Sequence, residues 1–248
     1  PVIIRKIFGF LQIIFIRLKM AASFAKGECD MKMRILAGIT ALVVVGAGVF
    51  GVINRQTYTD ITNEKNFMEK LQVAELPGQF AVTVCEEMQE RLPQLPIILR
   101  VRFTDDVEYL FGTSRQKICV QEVYAGDDIR VGDTIYITTG KNVSTMGEAT
   151  AELGFVNIPK PDCDYLVFLS GERDSLDKSL PVYDVYAESL FRPVFCYEDI
   201  ENKIVPVGEE NTYVPYKDVK ENEFFCTSEE GMKAWQDLKK NMLDRYPI

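Results

Sequence analysis

The segment Ile35–Ile53 places the strongest constraint on what this chain can fold into. It reads ILAGITALVVVGAGVFGVI and contains no charged residue. At about 1.5 Å of rise per residue, a helix of this length covers the hydrocarbon core of a bilayer. Lys32 and Arg34 precede it, so the positive-inside rule puts the N-terminus in the cytoplasm and the rest outside. We expect a single-pass signal anchor over residues 31–54. A signal peptide cleaved near Gly46–Gly48 is the alternative.

The charge distribution separates a basic head from an acidic body. Residues 1–53 carry 7 Lys/Arg and 2 Asp/Glu, a net charge of +5. Residues 54–248 carry 21 Lys/Arg and 35 Asp/Glu, a net charge of -14. Because an acidic surface repels phosphate, we expect no nucleic-acid partner. The lipid bilayer is the partner predicted for Ile35–Ile53, and an unidentified envelope protein or small ligand for the body.

Residues 1–30 precede a second candidate start at Met31. Met31 opens MKMRILAGITALVVVG, which has the order of a bacterial export signal: a start, a short basic region and an apolar region. The residues Lys26–Glu28 can be encoded AAA GGA GAA, which contains the ribosome-binding sequence AAGGAG. We expect residues 1–30 to be upstream nucleotides translated in frame. A genuine N-terminal extension is the alternative.

Helical patterns lie at both ends of the acidic body. Residues 55–78 predict a juxtamembrane helix or tether that Pro77-Gly78 ends. Capping-box spacing at Thr83–Glu86 predicts a short helix before Pro93. The same spacing at Thr227–Glu230 predicts a C-terminal helix with an apolar stripe that we expect to pack in the core. The stripe consists of Met232, Trp235, Leu238 and Met242.

Strand patterns fill the region between these helices. Ile97–Asp105 alternates apolar residues with Arg100 and Arg102, which is typical of a strand with one wet face. A run of apolar residues at Asp164–Gly171 indicates a strand buried on both faces. The other predicted strands are Gln116–Tyr124, Thr134–Thr139, and two further ones in PVYDVYA and RPVFCYE. We expect a loop over Gly140–Asn157, and an α+β domain over residues 79–248.

The strand sequences also resemble a known family. The order RVRF, KICVQEVYAGDDIRVGDTIYI and DYLVFL is similar to exported Gram-positive proteins of unknown function. Its layout over residues 97–170 resembles the netrin-like version of the OB-fold. The resemblance implies a small OB-like β-barrel of five strands with a helix packed on it. Together with the residue patterns above, it gives an expected fold of a single transmembrane helix followed by this barrel with flanking helices. Inhibition of metalloproteinases in that family needs an N-terminal Cys, which this chain lacks at that place, so we do not transfer the activity.

Candidate chemical groups are few. The chain has no histidine, which excludes Ser/His and Cys/His nucleophiles and His-ligated metals. The acidic turn at Asp127, Asp128 and Asp133 lacks EF-hand spacing. We therefore name no catalytic residue, no cofactor-binding residue, no metal ligand and no cofactor.

Of the six cysteines, the five that follow Cys29 would lie outside the cytoplasm, where they allow up to two disulfides and one leftover thiol; buried thiols are the alternative. We predict one bridge between Cys163 and Cys226, which flank predicted elements. The predicted loop supplies the candidate ligand residues, since binding groups concentrate in loops. These are Lys141, Asn142, Ser144, Thr145 and Glu148.

Three classes of function stay open for the body. We predict a membrane-anchored, non-enzymatic binding or accessory module of a bacterial cell envelope. The alternatives are an envelope hydrolase that works through carboxylates and a structural subunit of a membrane complex. An enzyme needs a concave pocket with converging carboxylates of shifted pKa, and a binding module needs an exposed apolar patch.

Overall fold

The computed structural model describes residues 31–57, 67–110, 113–138, 142–144, 150–161, 163–175, 179–188, 191–205 and 213–248. The chain divides into two compact units, Pro1–Asp60 and Ile61–Ile248. Part of the first lies outside the described residues, including all of residues 1–30.

The first unit contains one described helix, α1, over Met31–Thr57. The apolar segment Ile35–Ile53 lies within it. Large apolar side chains of α1 are exposed, namely Ile39, Leu42, Val43, Val44, Val45, Val49, Phe50, Val52 and Ile53.

Within the described part of the chain, no helix is both long enough and apolar enough to cross a membrane. That finding does not support the transmembrane helix predicted over Ile35–Ile53.

The second unit mixes strands and helices. Its described helices are α2 (Gly78–Arg91), α3 (Tyr216–Val219) and α4 (Glu229–Arg245), with 3-10 turns at Phe67–Lys70 and Leu92–Gln94. Its described strands are β1 (Gln72–Ala74), β2 (Ile97–Leu110), β3 (Thr113–Ala125), β4 (Thr134–Thr138), β5 (Asn142–Ser144), β6 (Thr150–Glu152), β7 (Asp164–Arg173), β8 (Val182–Val185), β9 (Val194–Cys196) and β10 (Tyr213–Pro215).

Five of these strands close a barrel. Their order is β2-β3-β4-β8-β7, and pairing of β7 with β2 completes the circle. The β4–β8 pair is parallel, and the other pairs are antiparallel. The predicted α+β class and the five-stranded barrel are thus confirmed.

Partners on both edges explain the burial of β7. One edge pairs with β2, and the other pairs first with β9 and then with β8. Residues Tyr165–Leu169 are all buried, as their continuous apolar run predicts. On β2, Leu99 and Val101 are fully buried. Arg102 on the opposite face forms an ion pair of 2.6 Å with Asp164, so the predicted wet face is also confirmed.

A second, smaller sheet corrects the prediction of a long loop over Gly140–Asn157. Its order is β10-β1-β6-β5, so the predicted loop contains β5 and β6. β6 pairs with β5 on one edge and, in parallel, with β1 on the other. The strands of this sheet contribute the buried apolar residues Val73, Ala151 and Val214 to a small core of their own. The pairing with β1, about 80 residues earlier in the chain, is not visible in the local pattern.

The same sheet corrects the predicted tether over residues 55–78. α1 ends at Thr57, and the next described elements are the 3-10 turn and strand β1. The sequence of β1, QVA, is too short to predict a strand by its own pattern. It forms one because β10 pairs with one of its edges and β6 with the other.

Both helix starts differ from the predicted capping boxes. α2 begins at Gly78 rather than after Thr83, whose hydroxyl donates to the carbonyl of Gln79 inside the helix. α4 is capped by Ser228, whose Oγ accepts from the backbone N–H of Gly231 at 3.1 Å. Thr227 instead accepts from the N–H of Gly78 at 3.1 Å, so it caps α2 across 149 residues of sequence.

The C-terminal stripe confirms the prediction of core packing. Met232, Trp235, Leu238 and Met242 are all buried. Trp235 stacks on Phe224 with ring centroids 4.6 Å apart. α4 therefore closes the main core instead of presenting this stripe to a partner.

Candidate functional site

Helices α2 and α4 pack side by side in the same direction. Gly78 and Ser228 meet at their N-terminal ends, and Gln89 and Asn241 hydrogen-bond at 3.2 Å near their C-terminal ends. The contact needs a residue without a side chain at Gly231. A Cβ there would lie 2.4 Å from Sγ of Cys226 and 2.9 Å from Cβ of Ala81. Small residues thus let the two helices approach closely.

A groove of about 320 Å³ runs between the two helices. Apolar or small side chains form its floor: Val82, Cys85, Ala234 and Leu238. Charged and amide side chains form its rim: Glu86, Gln89, Glu230, Lys233, Asp237 and Asn241. The groove therefore combines an apolar floor with a mainly acidic rim.

The thiol in the floor is not an activated nucleophile. Cys85 is 3% exposed. Burial raises its pKa to about 12, and the charges of Cys226 and Glu86 add to that rise. Because the thiolate is the reactive form, this thiol serves as apolar surface at neutral pH.

A buried carboxyl group lies beneath this region, and sequence analysis missed it. Glu75 follows β1 and is 1% exposed, and neither of its carboxylate oxygens has a hydrogen-bond partner among the residues that the structure describes. Burial raises its pKa from 4.5 to about 7. Burial also raises the pKa of Cys226, and the charge of Glu75 raises it further. Both groups are closed off from solvent, which separates them from a substrate in the groove.

A second buried acid, Glu223, connects α4 to the barrel. Its carboxylate accepts from Lys239 Nζ and from the backbone N–H of Cys196, both at 2.6 Å. Burial raises the pKa of Glu223, and the Lys239 ammonium opposes that rise. The pair holds the helix against β9, so its role is structural.

Two of the five predicted ligand residues lie in the second, smaller sheet. Asn142 and Ser144 lie in β5, opposite Glu152 and Thr150 of β6. Lys141, Thr145 and Glu148 lie outside the described residues. Ligand binding by these five residues stays a prediction.

The predicted disulfide partners have different neighbours in the structure. Cys85, Cys119, Cys196 and Cys226 are free thiols, and Cys29 lies outside the described residues. Cys226 lies near Cys85, since the charge of Cys226 adds to the rise in the pKa of Cys85. Cys163 lies instead near Tyr165, whose pKa burial raises, with the charges of Cys196 and Cys163 adding to the rise.

The acidic turn after β3 has a structural role. Asp133 Oδ2 accepts from the backbone N–H of Arg130 at 2.8 Å and so closes the turn. Among the residues described by the structure, no three His, Cys, Asp or Glu side chains are placed to hold a metal ion.

No protein-family model matches the chain, and no curated protein matches its sequence.

Proposed function

We propose that the acidic body is a non-enzymatic binding or accessory module of a bacterial cell envelope, and that it contacts its partner through the groove between α2 and α4. One observation carries the proposal: the groove joins an apolar floor to an acidic rim on two rigid, well-packed helices. The thiol in the groove, Cys85, has a pKa raised to about 12 by burial. This arrangement suits recognition better than catalysis.

The barrel supports the same class of function. Its closed five-stranded order is compatible with an OB-like barrel, and we propose the netrin-like relationship on the strand motifs between Arg100 and Leu169. Small barrels of this type commonly present binding surfaces. In this chain the two flanking helices offer the groove, and the barrel serves as its rigid support.

The first unit and the charge pattern support a proposal for the location of the protein. α1 exposes large apolar side chains such as Leu42, Val43 and Phe50, and surfaces of that kind contact lipid or protein. We propose that α1 attaches the protein to the membrane, with the basic head in the cytoplasm and the acidic body outside. Extraction of membranes at high pH and proteolysis of intact cells test this location. Release of the protein at high pH would refute it.

Site-specific photo-crosslinking in intact cells tests the binding role. The photoreactive residue replaces Gln89 or Asn241 at the rim, or Val131, which is 65% exposed on a turn of the barrel. We expect discrete protein adducts from both rim positions and none from Val131. Equal adducts at all three positions, or none at the rim, would overturn the proposal.

A further inference from the structure

The length and shape of the groove fit an α-helix as the partner. On α4 the lining residues run from Glu230 to Asn241, which corresponds to roughly 16 Å of helix. On α2 they run from Val82 to Gln89, roughly 10 Å. Two helices that pack side by side leave a valley in which the side chains of a third helix fit.

The apolar surface that the groove offers to a partner comes from Val82 and Ala234, which are half-buried. Cys85 and Leu238 are almost fully buried and form the closed base of the groove. A partner helix with apolar residues at positions i, i+3 or i+4, and i+7 would place them along this floor.

The rim selects for positive charge. Glu86 comes from α2, and Glu230 and Asp237 come from α4. All three are exposed, and among the described residues none of their carboxylates takes part in a hydrogen bond or ion pair. Lys233 is the single basic residue that lines the groove. A basic partner would therefore gain ion pairs without displacing existing ones.

We infer that the groove binds a basic amphipathic helix of a partner protein, whose apolar face covers the floor at Val82 and Ala234 and whose Lys and Arg side chains reach the acidic rim. This inference rests on the proposed function and names the chemistry of its partner.

Binding of a model peptide tests the inference. The probe is a fluorescent 18-residue peptide of Leu and Lys in helical amphipathic order, with a scrambled peptide of the same composition for comparison. The full chain is held in nanodiscs of zwitterionic lipid, and empty nanodiscs give the background. We expect the ordered peptide to bind more tightly than the scrambled one, and added salt to weaken its binding.

Two matched triple variants separate the rim from the overall charge. E86Q/E230Q/D237N removes three rim charges and should weaken binding about tenfold, since exposed ion pairs contribute little individually. D127N/D128N/E201Q removes three exposed charges elsewhere and should leave the affinity within about twofold. An equal loss in both variants, or equal binding of the scrambled peptide, would overturn the inference.

A floor variant gives an independent measurement. Ala234→Phe fills the groove without changing its charge, and we expect it to abolish peptide binding while the circular dichroism spectrum stays unchanged. Unchanged peptide binding by a folded A234F protein would contradict the inference. If rim adducts form in cells while the peptide does not bind, the partner has another chemistry and the proposed function stands. If neither occurs, both fail.

Discussion

Replacing Glu75 should remove a pH-dependent loss of stability that is built into the fold. The carboxyl group follows β1 in the chain and is 1% exposed, and within the described part of the protein neither of its oxygens has a hydrogen-bond partner. Its charged form has lost water without gaining a compensating contact, so folding favours the protonated form. Burial accordingly raises its pKa from 4.5 to about 7.

The sign and size of the effect follow from this rise in pKa. Between about pH 4.5 and 7 the folded protein keeps the Glu75 proton while the unfolded chain releases it. The free energy of unfolding therefore falls as the pH rises through this window, and the fall is complete above the folded-state pKa. Its full size is roughly 3 kcal/mol.

Two substitutions isolate this contribution. Glu75→Gln keeps the shape and removes the titration, and Glu75→Met also removes the buried polar atoms. Urea unfolding of the full chain is followed by the fluorescence of Trp235, the single tryptophan, which is fully buried. Relative to either variant, the wild-type protein should lose about 3 kcal/mol of stability between pH 4 and 8. A difference that does not change with pH would refute the reasoning.

Three further predictions concern the two helices and their core. Gly231→Ala should destabilise the protein by about 1–3 kcal/mol in urea unfolding. The double variant C226A/G231A should recover part of that loss, because it removes Sγ of Cys226, the atom closest to the new methyl group. Full stability of G231A would contradict the close packing. Lys239→Met leaves Glu223 buried without its ion-pair partner and should lower the free energy of unfolding by about 3–5 kcal/mol. The double variant E223Q/K239M should be more stable than K239M alone, because it also removes the buried charge. Equal stability of the two variants in the same assay would argue against a coupled pair. Cys85 should react only slowly with a maleimide at pH 8 until urea unfolds the protein, because burial raises the pKa of its thiol to about 12. Mass spectrometry measures the labelling. Rapid labelling of the folded protein would show that Cys85 is accessible from the groove.

The barrel could be predicted because its strands carry their own pattern. Alternation around Leu99 and Val101 and the apolar run Tyr165–Leu169 indicate which strands have one buried face and which have two. Local periodicity is enough for these elements, since each buries its own apolar residues.

The helix starts could be predicted only approximately. Thr83 and Thr227 both have capping-box spacing, yet Ser228 caps α4 and Thr227 caps α2 from the far end of the sequence. A hydroxyl that caps a helix far away in the sequence creates no local sequence pattern from which the start of that helix could be predicted.

The groove and Glu75 could not be predicted from sequence alone. The helices that form the groove are separated by more than 130 residues, so no spacing rule connects Cys85 with Leu238. The acidic residue Glu75 is in a short segment whose local pattern indicates an exposed tether. It becomes buried because β1 has strand partners on both edges, and those pairings are long-range.

The pairing of the beginning and the end of the second unit has a consequence for how the chain folds. β1 pairs with β10, Leu76 forms a bridge with Cys226, and α2 packs on α4. The β1 pairing requires Tyr213–Pro215, the bridge requires Cys226, and the helix contact requires Glu229–Arg245, so all three form only after the barrel strands have been synthesised. We therefore expect slow, late closure of the core, since contacts of high sequence separation carry a large entropic cost of loop closure. Until α4 has been synthesised, it cannot cover the apolar face of α2. We therefore expect the chain to depend most on chaperones at this stage of synthesis.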